Sequence, residues 1–301
     1  MILRWISAWG LLAFSAGVWA VSPYIQGDPV AGGSAQAAAA AVESKLRGGG
    51  FKVVGKYFPK TLTGYGVVVA TDDAMLNEVG AVGGPAVLGA AIRVGVKADG
   101  SVAYANPDYW YRAYFRKAFD KREAAVKTLQ ARLQDTLGAG KGQGGDEPSG
   151  NLANYRYMIG MERLDSSKSK LAEYGSFAEA LKTVRDNLAK GAGKTAKVYE
   201  VVMPDRKLAV FGVAMNDAEH NDGDWIRKID MQNNIAGLPY EIYIVDNEVN
   251  SPHGRFRIAL AFPDVGMGQF MRISSLPNAI MEVMGSVAGV EKKSSGEAWQ
   301  Q

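Results

Sequence analysis

The chain has 301 residues, a formal net charge of +3, 47% hydrophobic and 22% charged residues, and no cysteine. That charge is small for the length and carries no basic or acidic tail, so it gives no footprint for nucleic acid. The missing thiols exclude cysteine catalysis, iron–sulfur clusters, zinc–thiolate sites and covalent c-type haem attachment.

The N-terminus reads as a secretory signal over residues 1–20. Arg4 gives a thin positive region, Ile6 to Val18 an apolar core, and Val18-Trp19-Ala20 a small-residue cleavage site after Ala20. An uncleaved anchor is the alternative, and only in that case does the sequence imply a membrane partner. The expected compartment is the periplasm, where a chain without disulfides relies on its cores. Residues 21–33 read as a flexible leader.

Ser34 caps a helix through Arg47, which Gly48-Gly49-Gly50 ends. Lys52–Phe58 and Tyr65–Ala70 read as strands. Asp72 or Asp73 caps a short helix. A hairpin follows, Ala90–Val96 and Ser101–Ala105, turning at Asp99-Gly100. The segment Pro107–Arg116 is aromatic-rich and leads into a helix over Phe119–Leu137. Gly138–Gly150, with six glycines, reads as a linker and sets the domain boundary. Residues 151–175 read as loosely structured. A capping box at Ser176 and Glu179 opens the next helix. Strands are expected at Lys197–Met203, Leu208–Met215, Tyr240–Val245 and Arg255–Phe262. Ser275 caps a last helix, and residues 291–301 read as a disordered tail.

The two halves read as one unit written twice. Lys52, Val53 and Pro59 match Lys197, Val198 and Pro204; Tyr65-Gly66-Val67 matches Phe211-Gly212-Val213; Asp73-Ala74 matches Asp217-Ala218. Gly89 matches Gly237, Ile92 and Val94 match Ile242 and Ile244, and Pro107-Asp108 matches Pro263-Asp264 after six further residues. Indels confined to loops are what duplication of a folding unit leaves. The expected fold class is α+β: two repeated units, residues 34–137 and 151–290, each an antiparallel sheet with helices on one face, in a pseudo-two-fold arrangement.

Leu238-Pro239-Tyr240-Glu241, Arg255-Phe256-Arg257-Ile258-Ala259 and Phe262-Pro263-Asp264, with Asn106-Pro107-Asp108-Tyr109-Trp110 in the first unit, resemble bacterial proteins carrying the domain of unknown function 302. The resemblance spans about residues 35–285. It implies tandem α/β sandwiches, each resembling half of the TATA-binding-protein saddle, and it implies no activity.

Several constellations invite chemistry. Asp217, Glu219, His220, Asp222 and Asp224 offer oxygen ligands and one imidazole, in a spacing that misses the EF-hand template. A solvated loop that caps the next helix explains them equally well. Nine of the eleven methionines lie at or after Met158. Met267 and Met271, with His220, are the residues to consider for copper or an axial haem ligand, against core filling by an adaptable side chain. His220 and His253 have no serine elbow to serve. The cluster Tyr109–Phe115 either lines an apolar pocket or seals a joint between units. Glu241, if it points inward, needs Arg255 or Arg257 as a partner.

The function expected from these readings is an exported, non-enzymatic binding protein. It would hold a small ligand or a periplasmic protein at the cleft between its repeats. A haem- or copper-binding redox-associated protein and a structural factor of a larger assembly are the alternatives.

Overall fold

The computed structural model describes residues 19–290, so the expected signal core and C-terminal tail lie outside the described residues. The chain begins with two short strands, β1 (Ala20–Val21) and β2 (Tyr24–Gln26), followed by helix α1 (Ala35–Gly48). Strands β3 (Lys52–Tyr57) and β4 (Tyr65–Thr71), helix α2 (Asp73–Val82) and strands β5 (Ile92–Lys97) and β6 (Val102–Ala105) come next, then helices α3 (Pro107–Phe115) and α4 (Glu123–Leu137). The connection holds strands β7 (Gly142–Gln143) and β8 (Glu147–Pro148), the single turn α5 (Ser149–Leu152) and strand β9 (Lys170–Glu173). The second half runs α6 (Phe177–Ala189), β10 (Thr195–Met203), β11 (Leu208–Met215), α7 (Asp222–Lys228), β12 (Tyr240–Val245) and β13 (Glu248–Asn250). Helices α8 (Gly254–Ala261), α9 (Met267–Met271) and α10 (Leu276–Val287) complete it. A 3₁₀ segment precedes the central hairpin in each half, at Gly84–Ala90 and Gln232–Gly237.

The architecture is mixed α+β with antiparallel sheets. One sheet has six strands in the order β3-β4-β5-β6-β2-β7, and the other has five in the order β10-β11-β12-β13-β9. Helix α1 packs against β3, β4 and β5, while α6 packs against β10, β12 and β13. The two 3₁₀ segments cross over: the first packs on β11 and β12, the second on β4, β5 and β6. The buried apolar residues form one continuous cluster from Val21 to Ala288 rather than a separate core for each half. Among the described residues no helix is long and apolar enough to cross a membrane.

Local chemistry explains most helix starts. Ser34 accepts from the amide of Ala37, Asp72 from Met75 and Ser176 from Glu179. The Glu179 carboxylate reaches back to the amide of Gly175, one residue before the capping position.

Four expectations are corrected. The segment Arg255–Phe262 is helix α8, not a strand; β12 is partnered instead by β13, across a turn at Asp246-Asn247. Phe256 to Phe262 is buried on every side, so its apolar residues satisfy a strand period as readily as a helical one. The 21–33 leader contributes β2, whose Tyr24 and Ile25 pair with both β6 and β7 inside the first sheet. The Gly-rich 138–150 segment supplies β7 and β8 and stays bound to the first half. Its glycines allow close packing: a Cβ at Gly142 would meet Ser22 Oγ at 2.3 Å. Finally, Pro107-Asp108 opens α3 whereas Pro263-Asp264 follows α8, so that pair of identities does not mark one place in both halves.

Candidate functional site

The polar groups buried most deeply meet where the halves join. Arg93, the second residue of β5, and Glu241, the second residue of β12, form an ion pair with side chains 1% and 0% exposed. Arg257, the fourth residue of α8, grips the same carboxylate with two nitrogens, Nε to Oε2 at 2.8 Å and Nη2 to Oε1 at 3.0 Å. Backbone carbonyls take further donors: Arg93 Nε donates to Ala236 (3.0 Å) and Arg257 Nη2 to Gly237 (2.8 Å). Trp110, the fourth residue of α3, lies under both guanidinium groups, with its ring centroid 4.6 Å from Arg93 Cζ and 5.1 Å from Arg257 Cζ.

Burial pulls the Arg257 guanidinium down most strongly, but the Glu241 carboxylate together with the neighbouring tyrosines outweighs it, and its pKa ends raised. Arg93 follows the same logic. The sequence pairing of Glu241 with Arg257 is found, though Arg257 reaches it from a helix rather than a hairpin mate. Arg255 turns instead toward Glu162 (3.6 Å). Arg93 was not anticipated. Its only signal is a charge interrupting the apolar run Ala90–Val96, and its partner lies 148 positions along the chain.

The aromatic segment seals this joint. Helix α8 ends buried, and the final carbonyls of a helix lack partners within it. The amide of Phe262 takes the carbonyl of Ile258 (2.9 Å). Three tyrosine hydroxyls take the next three: Tyr155 donates to Ala259 (3.0 Å), Tyr109 to Leu260 (2.8 Å) and Tyr24 to Ala261 (2.9 Å). The indole of Trp110 donates to Pro23 (2.8 Å). The space left beside Arg93, Trp110 and Tyr114 is about 10 Å³, which holds at most one water.

A second polar contact joins the halves at the sheet edges. Asp222 is fully buried and accepts from Tyr57 Oη (2.7 Å), the amide of Met215 (2.9 Å) and the indole of Trp225 (3.2 Å). Burial raises its pKa to about 6, against these hydrogen bonds. Nearby, Thr61 donates to Asn221 (2.5 Å). Edge strands β3 and β10 meet so closely that a Cβ at Gly55 would lie 2.4 Å from the carbonyl oxygen of Val198.

The expected metal ligands are placed differently. Asp217 binds Lys194 (2.8 Å) and the amide of Glu219 (3.0 Å), and the Lys194 hydrogen bond lowers its pKa to about 2. His220 Nδ1 is 3.9 Å from Asp217, and its Nε2 lies 3.2 Å from Ser275 Oγ. That contact occupies Ser275, which makes no capping bond to α10. Asp222 turns into the core, and Asp224 takes Asn221 (2.7 Å) and Arg227. The carboxylates of this loop therefore point to separate partners, and no group of three His, Asp or Glu converges among the described residues. Met267 and Met271 stand 53% and 62% exposed on α9. His253 caps α8 and lies 3.6 Å from the buried Glu162, and burial lowers its pKa.

The joint thus holds two guanidinium groups against one carboxylate, and beside them the buried Tyr114 hydroxyl has no hydrogen-bond partner among the described residues. The chain matches no family model, no curated protein and no solved structure.

Proposed function

We propose that this chain is an exported, non-catalytic binding module. Its two repeated α+β units are fused about a pseudo-two-fold axis, and it engages a macromolecular partner through its outer surface. The observation that carries this reading is the solid joint. Small-molecule sites are concave and run to hundreds of Å³, whereas the cavity beside Arg93, Trp110 and Tyr114, lined by the first half, holds about 10 Å³.

Support for the repeat comes from element order and position. The series helix, two strands, helix, 3₁₀ segment, two strands, helix occurs over 35–115 and again over 177–261. Arg93 and Glu241 hold the same place in β5 and β12, as Trp110 and Arg257 do in α3 and α8. The reciprocal packing of each 3₁₀ segment on the opposite sheet is the exchange that a two-fold relation produces. The resemblance to the domain of unknown function 302 belongs to the same proposal. Export is supported by the order of Arg4, the apolar stretch Ile6–Val18 and Ala20.

Contiguous exposed apolar surface marks interaction sites. Tyr157, Met158 and Ile159 are exposed, as are Met267 and Met271, and the Tyr157 ring stacking on Phe270 at 6.3 Å brings the two segments together. Native mass spectrometry of the protein from its own host, with an absorption spectrum and metal analysis, tests the reading. A bare polypeptide mass, ending the signal after Ala20, is the expected result. A bound organic molecule, haem or stoichiometric copper would replace this reading with a ligand-carrying one.

A further inference from the structure

We infer that the Tyr157–Met271 surface docks on an anionic lipid surface. The inference rests on the reading of the chain as a module that acts through its outer face, and it names the partner of that face.

Exposure argues first. Ile159 is 95% exposed in the segment that follows Tyr157, and Met158, Met267 and Met271 are 48%, 53% and 62% exposed. These are flexible aliphatic and thioether side chains projecting outward. Protein hot spots favour Trp, Tyr and Arg set into pockets; side chains that enter an acyl boundary need only be apolar and free to project.

Charge argues next. Arg156 precedes the loop and is exposed. Arg272 follows α9, its guanidinium 3.1 Å from both the Lys228 carbonyl and Asp230. Arg156 and Arg272 thus flank the patch, next in sequence to Tyr157 and Met271, with Arg272 paired to Asp230. Basic residues beside an apolar tip are the second of the two signals that hold a peripheral protein on anionic lipid.

The absence of cysteine makes the test clean. Ile159→Cys in the full chain gives one labelling site for an environment-sensitive fluorophore, and Ala131→Cys on exposed α4 gives a control. The 159 label should shift to the blue on phosphatidylcholine vesicles containing phosphatidylglycerol, far less on phosphatidylcholine alone, and less as salt rises. Arg156→Gln with Arg272→Gln should weaken partitioning about twenty-five-fold, since each basic residue near the surface contributes about fivefold. Both side chains are exposed, so folding should be unchanged by circular dichroism. No blue shift at 159 on anionic vesicles overturns the inference. So does an equal shift at 131, which would show binding through the N-terminal stretch alone. A shift that appears only with an acidic polypeptide such as polyglutamate assigns the face to a protein and overturns it too. A failed vesicle test with a bare native mass removes the lipid assignment and leaves the binding-module reading in place. A bound small molecule in the native spectrum removes that reading itself.

Discussion

Replacing Glu241 by Gln should destabilise this protein more than removing either arginine that binds it. The buried cluster holds two guanidinium groups and one carboxylate, all nearly inaccessible. Glu241→Gln keeps the shape and leaves two cations in the core with no counter-charge. Breaking a buried ion cluster from one side costs about 3–5 kcal/mol, a large part of an ordinary domain's stability of about 5–15 kcal/mol. Arg93→Met behaves differently. The two-nitrogen contact of Arg257 with Glu241 survives, and that remaining pair is neutral. The loss should then stay near the cost of one unpaired carbonyl, Ala236, about 1–3 kcal/mol. Replacing all three by apolar residues of similar volume should recover most of the Glu241→Gln loss, because an apolar core requires no desolvation of charge. Urea unfolding followed by tryptophan fluorescence reads each variant, with Trp110 reporting from its stacking contact with both guanidinium groups. A Glu241→Gln loss below about 1 kcal/mol, or an Arg93→Met loss equal to it, would refute the reasoning.

Three further outcomes follow from the joint. Asp222 has a folded-state pKa raised from 3.8 to about 6. Its protonated form therefore favours folding, and this contribution is lost as pH rises from about 4 to about 6, by about 3 kcal/mol. The difference in stability between wild type and Asp222→Asn should show that slope, and parallel pH profiles would count against a buried Asp222. Tyr109→Phe leaves the Leu260 carbonyl unsatisfied in the core and should cost about 1–3 kcal/mol, whereas an unchanged urea midpoint would show that hydroxyl to be dispensable. Gly55→Ala places a Cβ against the Val198 carbonyl and should force the edge strands apart, at about 1–3 kcal/mol. A thermal midpoint unmoved by this change would mean that the strands do not meet there.

Elements whose signals are local were readable from the sequence. Strand β12 is bounded by Pro239 and a turn, and β11 is an uninterrupted apolar run, so both were placed to the residue. The caps Ser34, Asp72 and Ser176 are short-range chemistry and stand where expected. Glu241's need for Arg255 or Arg257 was readable only on the condition that it points inward; Tyr240 and Glu241 are both buried, so strand alternation could not decide it. What the sequence hid is set by long-range contact. Arg93 finds its partner in the other half, and no local pattern encodes that pairing. Strand β2 is three residues long and gains its place only from two neighbours far along the chain. Helix α8 is buried all round, which erases the period that separates helix from strand. The acidic loop read as a ligand set because its carboxylates are close in sequence, yet each is turned to a different partner.

Differential scanning calorimetry of the intact chain tests the solid joint most directly. One shared core around Arg93, Glu241 and Arg257 requires a single transition, with calorimetric and van't Hoff enthalpies equal. Two resolved transitions, one for each half, would contradict it. They would mean that the halves part as separate domains, and the cleft with its small ligand would return as the better reading.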